Sequence, residues 1–325
     1  MKTQNAGSES HLKRFPYWLR QSVRGNENFR GTRELISKLG LNTVCQAARC
    51  PNVHDCFSAK RCTFLILGKI CTRSCRFCAV EKNRLELKAP DKEEPLKIKE
   101  AVEKLGVKNV VITSVTRDDL ADGGASCFAD CINTLKSTGR GLKIEALVPD
   151  FLGNKSSIEK VVSARPDVLS HNIETVPRLY GKVRPESDYN RSLEVLRYAK
   201  ELDGGITTKS GIMAGLGELR EEILGAMGDL RKADCDIITI GQYLKPDAGC
   251  LEVEEFLEPG EFDKFSKWAK EAGFKKYYCG PFVRSSYEFS TPRHRNNGGP
   301  LEQYSSSESL GFARDKLRES RRYRR

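Results

Sequence analysis

Short apolar runs alternate with longer amphipathic stretches between residues 63 and 280, and this rhythm constrains the fold more than any other feature. The runs of strand length are 63–67, 109–114, 143–147, 168–171, 207–213 and 236–241. Stretches with helical length and period include 95–105, 125–135, 187–202 and 219–232. This alternation predicts a parallel α/β sheet with crossover helices. Six strands are too few for a complete eight-stranded barrel, so the pattern alone allows an open doubly wound sheet or a partial barrel.

Polar motifs follow each predicted strand. In chain order they are a three-cysteine loop, Arg117-Asp118-Asp119, Pro149-Asp150, Asn172 with Glu174, the segment 215–218, and Gln242-Tyr243. In parallel βα architectures the carboxyl ends of the strands meet at one edge, where active sites form. We therefore expect residues that are distant in sequence to line one cavity.

The loop after the first strand contains Cys71, Cys75 and Cys78. Thiolates at this spacing suit iron–sulfur chemistry. Three of them are one ligand too few for a closed site, so one iron of a four-iron cluster stays free to bind another molecule. We predict that this iron is the reaction centre.

A second triplet lies upstream, with four and then five residues between its members. It consists of Cys45, Cys50 and Cys56. The spacing is sufficient for a second cluster, which again lacks one ligand.

Both triplets resemble known motifs. The first, with Phe77 directly before its last cysteine, resembles the cluster motif of the radical S-adenosylmethionine (SAM) enzymes. The second triplet, together with Arg284-Ser285-Ser286-Tyr287, resembles the lipoyl synthases. Blocks at 113–124, 171–176, 213–218 and 241–244 resemble that family in the same order, and the resemblance spans residues 16–287.

The chain departs from the usual family pattern in two places. Phe57 and Lys60-Arg61-Cys62 stand where the family usually has Trp and then Gly-Thr-Ala. Glu288-Phe289 stand where it usually has His-Ala. Both departures lie beside the site that the second triplet and Arg284-Ser285-Ser286-Tyr287 are expected to form, and they replace no expected ligand.

The resemblance implies a fold and a set of cofactors. The fold is a partial (βα)6 TIM-like barrel of the radical SAM type, with N- and C-terminal extensions closing over its mouth. The cofactors are SAM and two [4Fe-4S] clusters. The implied metal ligands are Cys71, Cys75 and Cys78 for the SAM cluster, and Cys45, Cys50, Cys56 and Ser286 for the auxiliary cluster.

The resemblance also implies a reaction. Lipoyl synthases insert two sulfur atoms at carbons 6 and 8 of an octanoyl chain on a lysine of a carrier protein. A 5′-deoxyadenosyl radical made from SAM abstracts each hydrogen, and the auxiliary cluster supplies the sulfur. Ser286 is then a release point, because a hard alkoxide binds iron poorly in a soft thiolate setting.

Three kinds of partner follow from the resemblance. They are octanoylated lipoyl-carrier domains of 2-oxoacid dehydrogenase complexes or the glycine cleavage H protein, an electron donor such as ferredoxin or flavodoxin, and an iron–sulfur carrier protein.

Four polar residues near predicted strand ends are candidates for cofactor binding. They are Arg117, Asn172, Glu174 and Lys209. Their side chains are suited to the ribose or carboxylate of SAM or to orienting the substrate. Structural ion pairs gather at the same edges and are the alternative for each.

Composition limits the class of protein. The 325 residues are 38% hydrophobic and 30% charged, without an apolar run long enough to span a bilayer or a secretory signal. The sequence therefore predicts a cytoplasmic protein. The net charge of +11 is concentrated at the two ends, and the body has no nucleic-acid motif, so we do not expect nucleic acid as a partner.

The twelve cysteines are expected to be ligands and reduced core thiols, because intracellular thiol pools keep them reduced. Packing is the prediction for the six outside the triplets, Cys62, Cys127, Cys131, Cys235, Cys250 and Cys279.

Four segments are predicted. They are an N-terminal extension with the second triplet (1–62), the barrel (63–280), a segment with the serine ligand (281–292) and a basic disordered tail (293–325).

Two alternative functions remain at this stage. One is another radical SAM sulfur-inserting enzyme, similar to biotin synthase; the upstream triplet and the Arg-Ser-Ser-Tyr motif argue against it. The other is a zinc or iron–sulfur binding module without catalysis.

Overall fold

A computed structural model describes residues 15–21 and 25–287. The strands are β1 Asn42–Thr43, β2 Thr63–Ile66, β3 Asn109–Ser114, β4 Lys143–Leu147, β5 Val168–Ser170, β6 Thr207–Ala214, β7 Ile237–Gln242 and β8 Lys276–Gly280. The α-helices are α1 Glu27–Lys38, α2 Val44–Ala47, α3 Val53–Ser58, α4 Glu94–Leu105, α5 Ala125–Lys136, α6 Lys155–Ser163, α7 Tyr180–Val183, α8 Tyr189–Leu202, α9 Arg220–Lys232 and α10 Pro259–Glu271. Short 3-10 turns cover Tyr17–Leu19, Arg84–Glu86, Phe151–Gly153 and Pro177–Leu179.

The strands form one sheet in sequence order, with β1 and β8 at its two ends. From β2 to β8 every neighbouring pair is parallel, and β1 pairs antiparallel with β2. A doubly wound sheet reverses its strand order at a switch point, whereas a βα barrel winds in one direction. The sequential order therefore favours the partial barrel over the doubly wound alternative.

All six predicted strands are confirmed as β2–β7, with ends that shift by at most one residue. Each of these strands is followed by at least one helix before the next strand begins, which is the predicted (βα)6 unit. The prediction did not include β8, in which only Tyr278 is buried, because it looked for continuous apolar runs.

Apolar side chains cover both faces of the sheet, which is why its strands read as unbroken apolar runs. All residues of β2 and β7 are buried. Helix α4 packs against the sheet through Ile98, Ala101, Val102 and Leu105, which have helical spacing. Gly106 ends this helix in the left-handed conformation, which glycine adopts without a steric penalty.

The N-terminal extension joins the barrel through β1, whose Asn42 and Thr43 pair with Leu65 and Phe64. Helices α2 and α3, which contain Cys45 and Cys56, follow immediately. The extension is therefore anchored beside the strand that leads into the first cysteine loop. The predicted tail 293–325 lies outside the described residues, as does the part of 281–292 beyond Tyr287. Among the helices that the structure describes, none has the length and apolarity needed to span a bilayer.

Candidate active site

One cavity of about 340 Å³ lies at the carboxyl ends of the strands. Its walls include Thr113, Leu147, Met213 and Gln242, which stand at or near the ends of β3, β4, β6 and β7. Both cysteine triplets and the predicted serine ligand line it, namely Cys45, Cys50, Cys56, Cys71, Cys75, Cys78 and Ser286. Residues from both ends of the described chain therefore meet at the same mouth.

The first triplet sits on a loop that leaves β2 through two left-handed residues, Leu67 (φ 68°) and Gly68 (φ 88°). The Cys71 amide donates to the Glu81 carbonyl at 2.8 Å, which ties the start of the loop to its return segment. The Thr116 amide, beyond β3, donates to the Cys71 sulfur at 3.3 Å. The loop is thus fixed from both sides, with its thiols at the cavity.

The second triplet is held by two short helices. Thr43 caps α2, and the Cys50 amide donates to the Cys45 carbonyl at 3.0 Å. The Asn52 side chain, which is 1% exposed, donates to the Phe282 carbonyl at 2.8 Å. This bond joins the second triplet to the C-terminal segment that carries Ser286.

Ser286 lies in a turn in which the Tyr287 amide donates to the Arg284 carbonyl at 2.9 Å. The Lys209 ammonium donates to the Tyr287 carbonyl at 3.1 Å, so the barrel interior also anchors this segment. Ser285 and Ser286 both line the cavity. Of the two departures from the family pattern, Phe57 and Cys62 are buried in the core and do not line it. Glu288-Phe289 lie outside the described residues.

Asn172 and Glu174, two of the four candidate cofactor residues, line the cavity. The Asn172 amide donates to the Glu174 carboxylate at 3.1 Å, and the buried Asn172 Oδ1 has no partner among the described residues. Burial raises the pKa of Glu174, opposed by Arg184 and by the bond from Asn172. Glu174 has φ 64°, a conformation that is uncommon outside glycine and marks a constrained site.

Arg117 and Lys209 are held in ion pairs and do not line the cavity. Arg117 binds Asp119 through two hydrogen bonds of 2.7 and 2.8 Å. Lys209 binds the buried Glu145 at 3.0 Å. Lys209 shares a strand face with Gly211 and Met213, both of which line the cavity, so it lies beneath that floor.

Burial raises the pKa of the Cys45 and Cys78 thiols to about 12 and also raises that of Cys75. Iron would therefore have to displace their protons. Among the described residues, no three His, Cys, Asp or Glu side chains are placed to hold a single metal ion. A four-iron cluster makes a different demand, because each thiolate binds its own iron. No disulfide joins any of the twelve cysteines, all of which the structure describes.

Sequence reasoning missed two arginines that line the cavity, Arg184 and Arg284. Arg284 belongs to the Arg-Ser-Ser-Tyr motif but was not itself predicted as a site residue. Arg184 follows Val183, whose carbonyl accepts from the Arg76 amide of the first cysteine loop at 2.9 Å. Arg284 lies in the segment that Asn52 joins to the second triplet. The motif around Arg284 predicts a ligand through Ser286 and gives no separate role to the arginine. Nothing in the sequence around Arg184 distinguishes it from a surface arginine.

Known proteins match the chain along most of its length. The Radical SAM superfamily matches residues 65–230. A lipoyl synthase of Caldanaerobacter subterraneus subsp. tengcongensis is 52% identical over 274 residues, covering 84% of this chain and 95% of the relative. One of Caldicellulosiruptor saccharolyticus is 51% identical over 272 residues, covering 84% and 95%. The chain belongs to the lipoyl synthases.

This membership confirms the predicted activity and cofactors. Lipoyl synthases are radical SAM enzymes that use SAM and two [4Fe-4S] clusters. The biotin synthase-like and non-catalytic alternatives are excluded by identity of about half the aligned residues to lipoyl synthases.

Solved structures support the fold of this lipoyl synthase. Methylornithine synthase aligns with a TM-score of 0.50 at 18% identity, covering 81% of this chain and 88% of the other. HydG, a maturase of the [FeFe]-hydrogenase, aligns with a TM-score of 0.52 at 15% identity, covering 74% and 61%. At such identities the likeness concerns the fold alone.

Proposed function

We propose that the two cysteine triplets hold the two clusters of this lipoyl synthase on opposite parts of one cavity. In this assignment Cys71, Cys75 and Cys78 bind the cluster that carries SAM, and Cys45, Cys50, Cys56 and Ser286 bind the auxiliary cluster. The observation that carries the proposal is that all seven side chains line the same cavity of about 340 Å³. The donors fit, because thiolates are the ligands that iron–sulfur clusters take.

When bound, SAM and the clusters supply a 5′-deoxyadenosyl radical and sulfide for insertion at carbons 6 and 8 of the octanoyl chain. The protein binds and orients the cofactors and the substrate, and it excludes water from the site. Leu147, Ile212 and Met213 give the cavity an apolar wall suited to an acyl chain. The thiols of the first triplet are half-buried and line the same cavity as this wall.

Asn172 and Glu174 are assigned to SAM. The unpartnered Asn172 Oδ1 is an acceptor aimed at polar hydrogens of a ligand, and the Glu174 carboxylate suits ribose hydroxyls. For Arg117 and Lys209, the ion pairs with Asp119 and Glu145 favour a positioning role over direct contact with SAM. Arg117 also donates to the Leu67 carbonyl at 3.4 Å, which supports the start of the cysteine loop.

Ser286 is assigned as the weakest ligand of the auxiliary site. A hydroxyl oxygen is harder than a thiolate and is more readily lost from iron on protonation. Ser286 is half-buried at the cavity, so a proton can reach it. Its place in a turn held by Asn52 and Lys209 allows the side chain to leave without moving the segment.

The substrate is assigned as an octanoyl-lysine arm on a lipoyl-carrier domain of a 2-oxoacid dehydrogenase complex or on the glycine cleavage H protein. A lysine arm suits a cavity that opens at the mouth of the barrel, because the carrier itself stays outside. An electron donor such as ferredoxin or flavodoxin and an iron–sulfur carrier protein complete the reaction. We also propose that the protein is cytoplasmic. Its proposed segments are those predicted from the sequence, with boundaries after residues 62, 280 and 292.

The test is an anaerobic reaction of the full chain with SAM, dithionite and an octanoyl-lysine peptide. We expect about eight irons per chain, deoxyadenosine and a dithiolated peptide. Ser286→Ala is expected to cleave SAM at a rate close to wild type and to form at least tenfold less dithiolated peptide. Ser285→Ala is the matched control and is expected to retain both activities. Equal loss in the two variants would contradict the assignment of Ser286.

A further inference from the structure

Each cysteine triplet has one arginine beside it in the cavity. The amide of Arg76, between Cys75 and Cys78, donates to the Val183 carbonyl at 2.9 Å, which places Arg184 next to the first triplet. The bond from Asn52 to the Phe282 carbonyl joins the second triplet to the segment that carries Arg284. These arginines come from different parts of the fold, since Arg184 directly follows α7 and Arg284 follows β8. The same type of arrangement is therefore built twice in one cavity.

Arg184 is fixed by neutral groups. It is 8% exposed, and its Nη1 donates to the Asn172 carbonyl at 2.9 Å and to the Tyr180 hydroxyl at 3.0 Å. Its buried Nε has no partner among the described residues. No carboxylate in the described part of the chain lies within ion-pair distance of it, although Glu174 is close enough to attract it.

Arg284 is fixed in the same manner. It is half-buried, and its Nη1 donates to the Val283 carbonyl at 2.6 Å and to the Pro281 carbonyl at 3.3 Å. Gly241, near the end of β7, makes room for this segment, because a Cβ there would clash with the Val283 carbonyl and lie 3.1 Å from Arg284 Nη1. Within residues 15–21 and 25–287 this guanidinium also has no carboxylate at ion-pair distance.

A guanidinium stays charged in proteins, and a desolvated charge is costly unless an anion balances it. Arg73, a buried arginine of the first cysteine loop, has two carboxylate partners. Arg184 and Arg284 instead line the cavity together with the thiols of the two triplets. A four-iron cluster in its oxidised resting state carries about two positive charges, so three thiolates leave a net charge of about minus one at the SAM cluster. At the auxiliary cluster the Ser286 alkoxide would bring the net charge to about minus two, and in each case one guanidinium offsets one negative charge.

We infer that Arg184 and Arg284 are the counter-charges of the SAM cluster and the auxiliary cluster, and that each stabilises the reduced form of its own cluster. The inference rests on the cluster assignment proposed above. Net charge and hydrogen bonds to sulfur are among the determinants of cluster potential. Reduction adds one negative charge, so a fixed positive charge beside the thiolate favours it. Both residues are positioning residues, since they act through the cysteines.

The test uses the full chain, purified anaerobically, with one triplet removed at a time. Cys45, Cys50 and Cys56 are changed to Ala to report the SAM cluster, and Cys71, Cys75 and Cys78 are changed to Ala to report the auxiliary cluster. Arg184→Gln, Arg184→Lys, Arg284→Gln and Arg284→Lys are compared in each background. The readouts are the iron content and the fraction of cluster that is reduced at a fixed potential. Electron paramagnetic resonance measures that fraction.

We expect Arg184→Gln to lower the ratio of reduced to oxidised cluster about tenfold in the SAM-cluster background, equivalent to about 59 mV for one electron. Arg284→Gln should leave that ratio unchanged there and lower it about tenfold in the auxiliary background. The Lys variants keep the charge and should change the ratio less than about threefold. Each arginine is thus the control for the other.

Unchanged ratios in the Gln variants would overturn the inference. So would equal loss of iron from the Lys and Gln variants, because a purely structural role would not distinguish charge. Loss of iron from the Gln variant alone would support it. Failure of the cluster assignment is a separate result, since the unmutated chain would then bind far fewer than about eight irons.

Discussion

Arg73 and Asp150 form an ion pair of 2.6 Å in which both side chains are almost fully buried. Arg73 lies between Cys71 and Cys75 in the loop after β2, and Asp150 follows β4, which β3 separates from β2 in the sheet. Arg73 also binds Asp118 at 2.7 and 2.9 Å. Burial by itself would raise the pKa of Asp150, but hydrogen bonds and charge from Arg73 hold that pKa well below its usual range. Ion pairs of Arg73 therefore hold the cysteine loop against the barrel.

Asp150→Asn is expected to destabilise the protein by about 2–3 kcal/mol, because it removes a charged hydrogen-bond partner from two arginines, Arg73 and Arg191. The measurement is thermal unfolding of the anaerobic holoenzyme. Asp91→Asn is the control: its pair with Lys97 is exposed, and such pairs contribute about 0–1 kcal/mol. Similar unfolding temperatures for the two variants would contradict the role given to Asp150.

Much of the fold was predictable from residue pattern, because the barrel strands are buried on both faces and read as apolar runs. The six strands β2–β7 were found for this reason. Strand β8 has only one fully buried residue, Tyr278, and gives no such signal. Helix α6 begins after the cap residue Asn154, whose side chain accepts from the Ser156 and Ser157 amides, and this residue type is a sequence signal for a helix start.

The candidate site was less predictable than the fold. The spacing of the cysteines indicates iron–sulfur chemistry, so candidate ligands could be predicted from sequence, and the structure places them on one cavity. The roles of Arg184 and Lys209 could not be predicted in this way. Whether an arginine or lysine faces a ligand or a carboxylate depends on which parts of the chain become neighbours in the fold. Lys209 of β6 forms an ion pair with Glu145 of β4 because both side chains point into the interior of the barrel.

Lys209→Met is expected to cost about 3–5 kcal/mol of stability, because it leaves the Glu145 charge buried without its cation. The double variant Lys209→Met with Glu145→Gln should be less destabilised than the single variant. Thermal unfolding measures the loss, and equilibrium binding measures the dissociation constant for SAM. A weakened affinity for SAM at unchanged stability would instead support the direct contact considered from sequence.

The stability of the protein is expected to fall between about pH 6.5 and pH 4 through His171. Burial is the main cause that lowers the pKa of this histidine to about 4, and the charges of Arg184 and Arg73 lower it further. Asp150 and the Val148 carbonyl act in the opposite direction. The unfolded chain takes up the proton near pH 6.5 and the folded chain does not, so protonation favours unfolding as the pH falls. The full effect is about 3 kcal/mol.

His171→Asn tests this pH dependence, because its amide is placed to replace the bond from Nδ1 to the Val148 carbonyl at 2.8 Å and does not titrate. The variant is expected to be less stable than wild type near pH 7 and to lose less stability on acidification. The measurement is the difference in free energy of unfolding between the two proteins at pH 7, 6, 5 and 4. Parallel curves for the two proteins would refute the role of His171.

Gly211→Ala is expected to weaken SAM binding about tenfold. A Cβ at this position would lie 2.8 Å from Thr239 Oγ1 and 2.9 Å from Asn172 Oδ1, so the Asn172 side chain must move from its place in the cavity. Gly225→Ala is the matched control: nothing lies within 4 Å of its added Cβ, and alanine in the interior of α9 should stabilise the helix by about 0.5–1 kcal/mol. Equilibrium binding of SAM to the anaerobic holoenzyme measures both. Wild-type affinity in Gly211→Ala would show that Asn172 does not contact SAM.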